Sequence, residues 1–182
     1  MAPTPGFQLT TREPLLPAAG SWQVDPARSH ASFVATVAGR PVRGRVPLTG
    51  QVLVTDPAEN SRACLAAAVS AVSTGSATLD RLLAGPSFLD AGRFPAVTFR
   101  SERLAWVAAG WRTVGLLQVK NVDHELACSL ALTDDEARPG EPPRISVTCT
   151  WVLDSRWIAS QWLPGLGRHI EMTCSFSLQR QT

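Results

Sequence analysis

From residue 44 to residue 54 the chain alternates without interruption. Val46, Leu48, Gly50, Val52 and Val54 fall in one phase, and Arg45, Pro47, Thr49, Gln51 and Leu53 fall in the other. In an extended chain successive side chains point to opposite faces, so this pattern specifies an antiparallel strand with one buried side. The same period returns in residues 124–132, 145–153 and 170–178, where Cys149 and Cys174 share the apolar phase. Residues 29–37, 64–73, 97–106 and 111–119 also read as strands. Breaks lie between them at Gly39-Arg40-Pro41, at Gly110 and at Lys120-Asn121, where Asn121 suits a positive φ. Pro47 inside a strand predicts an edge or a bulge.

About eight antiparallel strands joined by short turns can close into an up-and-down barrel, which removes exposed edges. The interior of such a barrel is just wide enough for side chains or one small ligand. Residues 74–101 interrupt the pattern. Leu79, Leu82 and Leu83 stand at helical spacing, and Gly85-Pro86 stops the helix. A helix this short needs a surface to cover, and the strands around it supply the face or mouth of a sheet. The predicted fold is therefore mainly β, an antiparallel barrel of about eight strands with a short helical insertion near residues 77–85. Residues 1–20 are Pro-rich and read as a flexible N-terminal arm, with the barrel domain over 21–182.

With 182 residues the chain is long enough for one domain with a buried core. The net charge of +2 is dispersed, without the basic runs of nucleic-acid binders, so no nucleic-acid partner is expected. Cys64, Cys128, Cys149 and Cys174 form no C-x-x-C pair and read as small buried apolar residues. No signal segment or membrane-spanning stretch is visible, so a cytoplasmic location is expected. His30, His124 and His169 are isolated, and no nucleophile, phosphate-loop or dinucleotide motif occurs. The expectation is a protein that is not an enzyme, with no catalytic residues, no metal and no cofactor. Trp157 and Trp162 fall in a predicted loop, where they either plug one end of the barrel or line a ligand mouth.

Several motifs carry a family resemblance. Trp22-x-Val24-Asp25-Pro26-x-x-Ser29 resembles the opening of the YceI family of lipocalin-like polyisoprenoid-binding proteins, with Arg28 where a His is usual. Val42-Arg43-Gly44-Arg45 is similar to the start of that family's second strand. Residues 115–123 resemble its G-x-L-T-h-x-G-V-T turn, where h is any apolar residue. Arg156-Trp157 resembles its last aromatic motif. The block Thr74-Gly75, Ser87-Phe88-Leu89-Asp90, Phe94-Pro95-x-x-Thr98-Phe99-x-Ser101 is the most specific match. The helix departs from the family's Arg-Asp-x-His-Leu-Lys/Arg: Leu79, Asp80, Leu82, Leu83 and Ala84 stand at the corresponding places. The resemblance implies a lipocalin-like barrel whose apolar pore holds an isoprenoid chain, such as a polyprenyl phosphate or a quinone tail.

Strand phase, helix face and resemblance together give an expected ligand lining of Phe33, Val69, Leu79, Leu82, Leu83, Phe88, Phe99, Val147, Trp157, Met172 and Phe176. Arg81 and Arg156 are the candidate head-group partners. The expected role is binding, storage or transport of an extended apolar ligand, an isoprenoid or other long-chain lipid. The alternative is a ligand-free structural or interaction module with a filled barrel, for which a homodimer is one arrangement.

Overall fold

The structure is a computed structural model and describes residues 17–107, 110–135, 143–159 and 165–181. Among these residues are nine strands: β1 Gly20–Val24, β2 His30–Val37, β3 Arg40–Val54, β4 Arg62–Ala68, β5 Ala96–Val107, β6 Gly110–Val119, β7 Val122–Asp135, β8 Arg144–Asp154 and β9 Leu166–Arg180. One α-helix, α1, spans Ala77–Ala84 between β4 and β5.

All strand pairs are antiparallel, in the order β1-β3-β2-β9-β8-β7-β6-β5-β4, and the β3–β4 pairing closes the circuit. Nine strands make an eight-position barrel because β1 and β2 share one place in the wall. β1 pairs with the far end of β3 (Trp22 opposite Val52) and with β9 (Val24 opposite Leu178). β2 pairs with the near part of both strands (Phe33 opposite Gly44 and Met172). A 3-10 turn at Pro26–Arg28 separates the two halves, and the Asp25 carboxylate accepts from the Ala27 amide to hold it. The early Asp-Pro pair thus breaks a strand.

β3 is not an edge strand, but its ladder to β4 is interrupted at Pro47, so the irregularity expected there is present on that side. The β3–β4 register runs down to Leu48 opposite Ala67 and resumes only as an isolated bridge between Arg45 and Ser73. With no N–H at Pro47, the ladder has nothing to bond there. β4, expected to reach Ser73, therefore ends at Ala68 in a 3-10 turn, Val69–Ala71.

The β6–β7 turn is as tight as predicted. Lys120 and Asn121 both take positive φ, 50° and 60°, and Val119 pairs with Val122. β7 runs beyond the alternating stretch 124–132, to Asp135. Trp162 lies outside the described residues.

Buried side chains form two contiguous groups. One, with Trp22, Val24, Val54, Ile145, Val147 and Leu178, fills the end of the barrel at β1. The other, with Ala35, Leu117, Val119, Leu126, Leu153 and Ile170, lies toward the end covered by α1. Phe99, Trp151 and Met172 pack against both and so mark the waist between them.

Candidate ligand cavity

A cavity of about 380 Å³ runs through the barrel interior, within the range of small-ligand sites. Its wall is the inward phase of the strands, and each register pair contributes facing side chains. Leu65 stands opposite Phe99, Val147 opposite Phe176, and Trp151 opposite Met172. The narrow end is shut by packing. Trp22 is 2% exposed, and its indole N–H donates to the Ala18 carbonyl at 2.9 Å.

Two glycines give the aromatic rings their places. The Phe33 ring lies across Gly44 on β3, and the Phe99 ring lies over Gly115 on β6; a Cβ at either glycine would run into the ring. With its tip set over a glycine of the neighbouring strand, each ring lines the cavity.

The cavity's few polar groups are committed to the wall. Ser101 Oγ accepts from the Ala63 amide at 2.7 Å, Ser61 Oγ accepts from the Thr55 amide, and Thr113 Oγ1 donates to the Arg103 carbonyl. The thiols of Cys128, Cys149 and Cys174 form a hydrogen-bonded row on adjoining strands. The bond to Cys149, together with burial, pushes the Cys128 thiol far up. For Cys149 the bond with Cys128 lowers the pKa, but the bond to Cys174 and burial outweigh it, and the thiol is pushed up to about 12. Such thiols stay protonated at neutral pH and serve as apolar wall. Cys64, expected to be buried, is exposed because it stands in the outward phase of β4.

The wide end is covered by α1 and the segment after it. Ser76 caps the helix by accepting from the Leu79 amide, and Leu79, Leu82 and Leu83 turn toward the cavity. Asp80 ties the helix to the preceding loop: its Oδ1 accepts from both the amide and the hydroxyl of Thr74, each at 2.7 Å. Across the mouth, Trp157 stacks on His124 with ring centroids 4.1 Å apart. Below it, the Asp154 carboxylate accepts from Arg156 and Arg168, which hold it well below the usual carboxylate range. Burial lowers the Lys120 pKa, and the nearby Asp90 charge opposes that shift.

Ten of the expected lining residues do face the cavity: Phe33, Val69, Leu79, Leu82, Leu83, Phe88, Phe99, Val147, Met172 and Phe176. Trp157 does not line it; it closes over His124 at the rim. Neither candidate head-group residue lines it. Arg81 is exposed on α1 and donates to the Ala77 carbonyl, and Arg156 is bound to Asp154. The sequence reading missed Trp151 and Leu89 as lining residues. Trp151 was legible, since it shares the apolar phase of β8. Its indole N–H is buried and has no hydrogen-bond partner among the described residues.

A closed antiparallel barrel with an apolar interior and a helical cover defines a lipocalin-like class of protein. Within that class, the model of the YceI-like domain family matches residues 22–173, and the chain belongs to that family. Similar solved structures include BcnA of Burkholderia cenocepacia, at 18% identity and TM-score 0.74, covering 85% of this chain and 98% of that one. A YceI protein of Campylobacter jejuni is similar at 15% identity and TM-score 0.67, over 78% of this chain and 86% of its own. A polyisoprenoid-binding domain from Saccharophagus degradans is similar at 11% identity and TM-score 0.65, over 88% and 98%. At these identities the likeness concerns the fold. No curated protein matches the chain. Among the described residues no helix is long and apolar enough to cross a membrane.

Proposed function

We propose that this protein binds one extended apolar ligand, an isoprenoid lipid, lengthwise in the barrel, and stores or carries it without chemical change. The observation that carries this reading is the cavity itself: about 380 Å³ walled by apolar side chains from every strand position. A barrel filled by its own side chains would serve the alternative, a ligand-free module, and the cavity weighs against it. Family membership and the polyisoprenoid-binding domain among the structural neighbours support the ligand class. Burial of each CH₂ contributes about 0.8 kcal/mol, so a chain of several isoprene units is held without a charged anchor. Leucines at positions 79, 82 and 83 make the cover apolar, and Arg156 is already committed to Asp154. A neutral or weakly polar head therefore suits this chain better than a pyrophosphate.

Mass spectrometry of an organic extract from natively purified protein tests the proposal. A prenyl lipid near one equivalent per chain is the expected result. A clean extract, together with failure of the stripped protein to take up a fluorescent prenyl alcohol, overturns it.

A further inference from the structure

The wide end of the barrel has an uneven charge arrangement. Its carboxylates are turned in and its guanidinium groups are turned out. The Asp90 and Asp154 side chains are each 15% exposed, while their partners Arg93, Arg156 and Arg168 are 77%, 70% and 65% exposed. Asp80 is half-buried against Thr74. Arg40, at the β2–β3 turn, and Arg81, on α1, are exposed at the same end. Among the described residues, the exposed carboxylates near this end are Asp123, with Arg100 beside it, and Glu125 and Glu171 on the outer wall. The apolar cavity opens inside this basic ring, and its rim includes Val37, 41% exposed, and Leu82, 49% exposed.

We infer that the wide end docks on an anionic lipid bilayer, with Val37 and Leu82 at the acyl boundary and the arginines among the head groups. The inference rests on the ligand reading above, and the charge pattern gives it separate support. A whole-chain charge of only +2 would not draw the protein to a membrane in any particular orientation. Arg40 and Arg81, with the outward guanidinium groups of the Asp90 and Asp154 pairs, supply that orientation, because each basic residue not neutralised by a carboxylate strengthens binding to an anionic surface by about fivefold at low ionic strength. Two exposed aliphatic side chains add the short-range contact that distinguishes docking from loose attraction. An apolar chain could then pass between bilayer and barrel without crossing water.

Vesicle co-sedimentation of the full chain tests this, using phosphatidylcholine alone and phosphatidylcholine with phosphatidylglycerol. Binding at least tenfold tighter to the anionic vesicles, weakened by salt, is expected. The double variant R81E/R93E should lose most of that preference, and L82D should weaken binding at any salt. R112E/R180E, on the outer wall and toward the narrow end, should leave it unchanged. Circular dichroism spectra and melting curves check that each variant is folded. Equal binding to both vesicle types, no binding to either, or equal loss from the rim and control pairs overturns the inference. Prenyl uptake from detergent, measured on the same proteins, reads the cavity separately. A protein that fills from detergent but ignores vesicles keeps the ligand reading and loses the docking one.

Discussion

The Phe33 ring lies across Gly44, its partner in the β2–β3 register, so that a residue without a side chain seats one of the largest side chains in the cavity wall. The space that Gly44 leaves empty is the space the ring occupies. The ring is the movable member of the pair, because the atoms over Gly44 are its far end (Cζ and Cε1) and the side chain lines an open cavity.

Gly44→Ala is therefore expected to push the Phe33 ring into the cavity while the barrel still closes. Overpacking of this kind typically costs about 1–3 kcal/mol. Uptake of a fluorescent prenyl alcohol should fall by more than the stability does. Unchanged uptake at reduced stability would show that the ring found room elsewhere.

Trp22 and Trp151 form a matched pair for testing what a buried indole N–H is worth. The Trp22 donor is used by the Ala18 carbonyl, and the Trp151 donor has no partner. Trp22→Phe deletes a hydrogen bond to the exposed Ala18, with an expected loss of about 0.5–1.5 kcal/mol beyond the change in volume. Trp151→Phe removes a donor that is already unpaired, so beyond the change in volume it should be nearly neutral. Urea denaturation of both variants gives the comparison, and equal losses would contradict the assignment.

Arg156 and Arg168 hold Asp154 in its charged form below its ordinary range. A carboxylate whose folded pKa is depressed contributes stability above its unfolded pKa, about 3.9, and loses it as the pH falls toward the folded value. Asp154→Asn should lower the melting temperature at pH 7, and the gap to wild type should shrink below about pH 4. A gap independent of pH would mean that the loss comes from packing or from the cap on the Arg156 amide.

The four cysteines should separate cleanly by reactivity. Cys64 is exposed, while Cys128, Cys149 and Cys174 are buried and free. Iodoacetamide at pH 8 should modify one thiol per folded chain quickly and the others only after denaturation. Fast modification of a second site would show that the wall opens more readily than its burial suggests.

How much of this could be read from the sequence depended on whether a feature was periodic. The inward phases of β3, β7, β8 and β9 were plain because apolar and polar residues alternate there. Most of the cavity lining follows from those phases and from the Leu79, Leu82, Leu83 spacing. The Ala-rich strand β4 offered no such contrast, and Cys64 was expected to be buried although it alternates with Leu65. The split between β1 and β2 was also hidden, since a stretch as short as residues 22–24 shows no period. The seat of Phe33 on Gly44 depends on register, which one strand cannot reveal about its neighbour. The basic ring draws on Arg40, Arg81, Arg93, Arg156 and Arg168, which lie far apart in the chain and meet only through the turns at one end.

The Asp80–Thr74 tie has a consequence for timing. The staves of this barrel are bonded all the way round, so no side door can open without tearing a full row of backbone bonds. A ligand of the proposed kind would then enter end-on, where a two-turn helix is tied to the preceding loop by a single carboxylate. On the proposed reading, the rate of ligand exchange would answer to that latch and the affinity to the apolar wall below it. Evolution or an engineer could retune the one and leave the other alone.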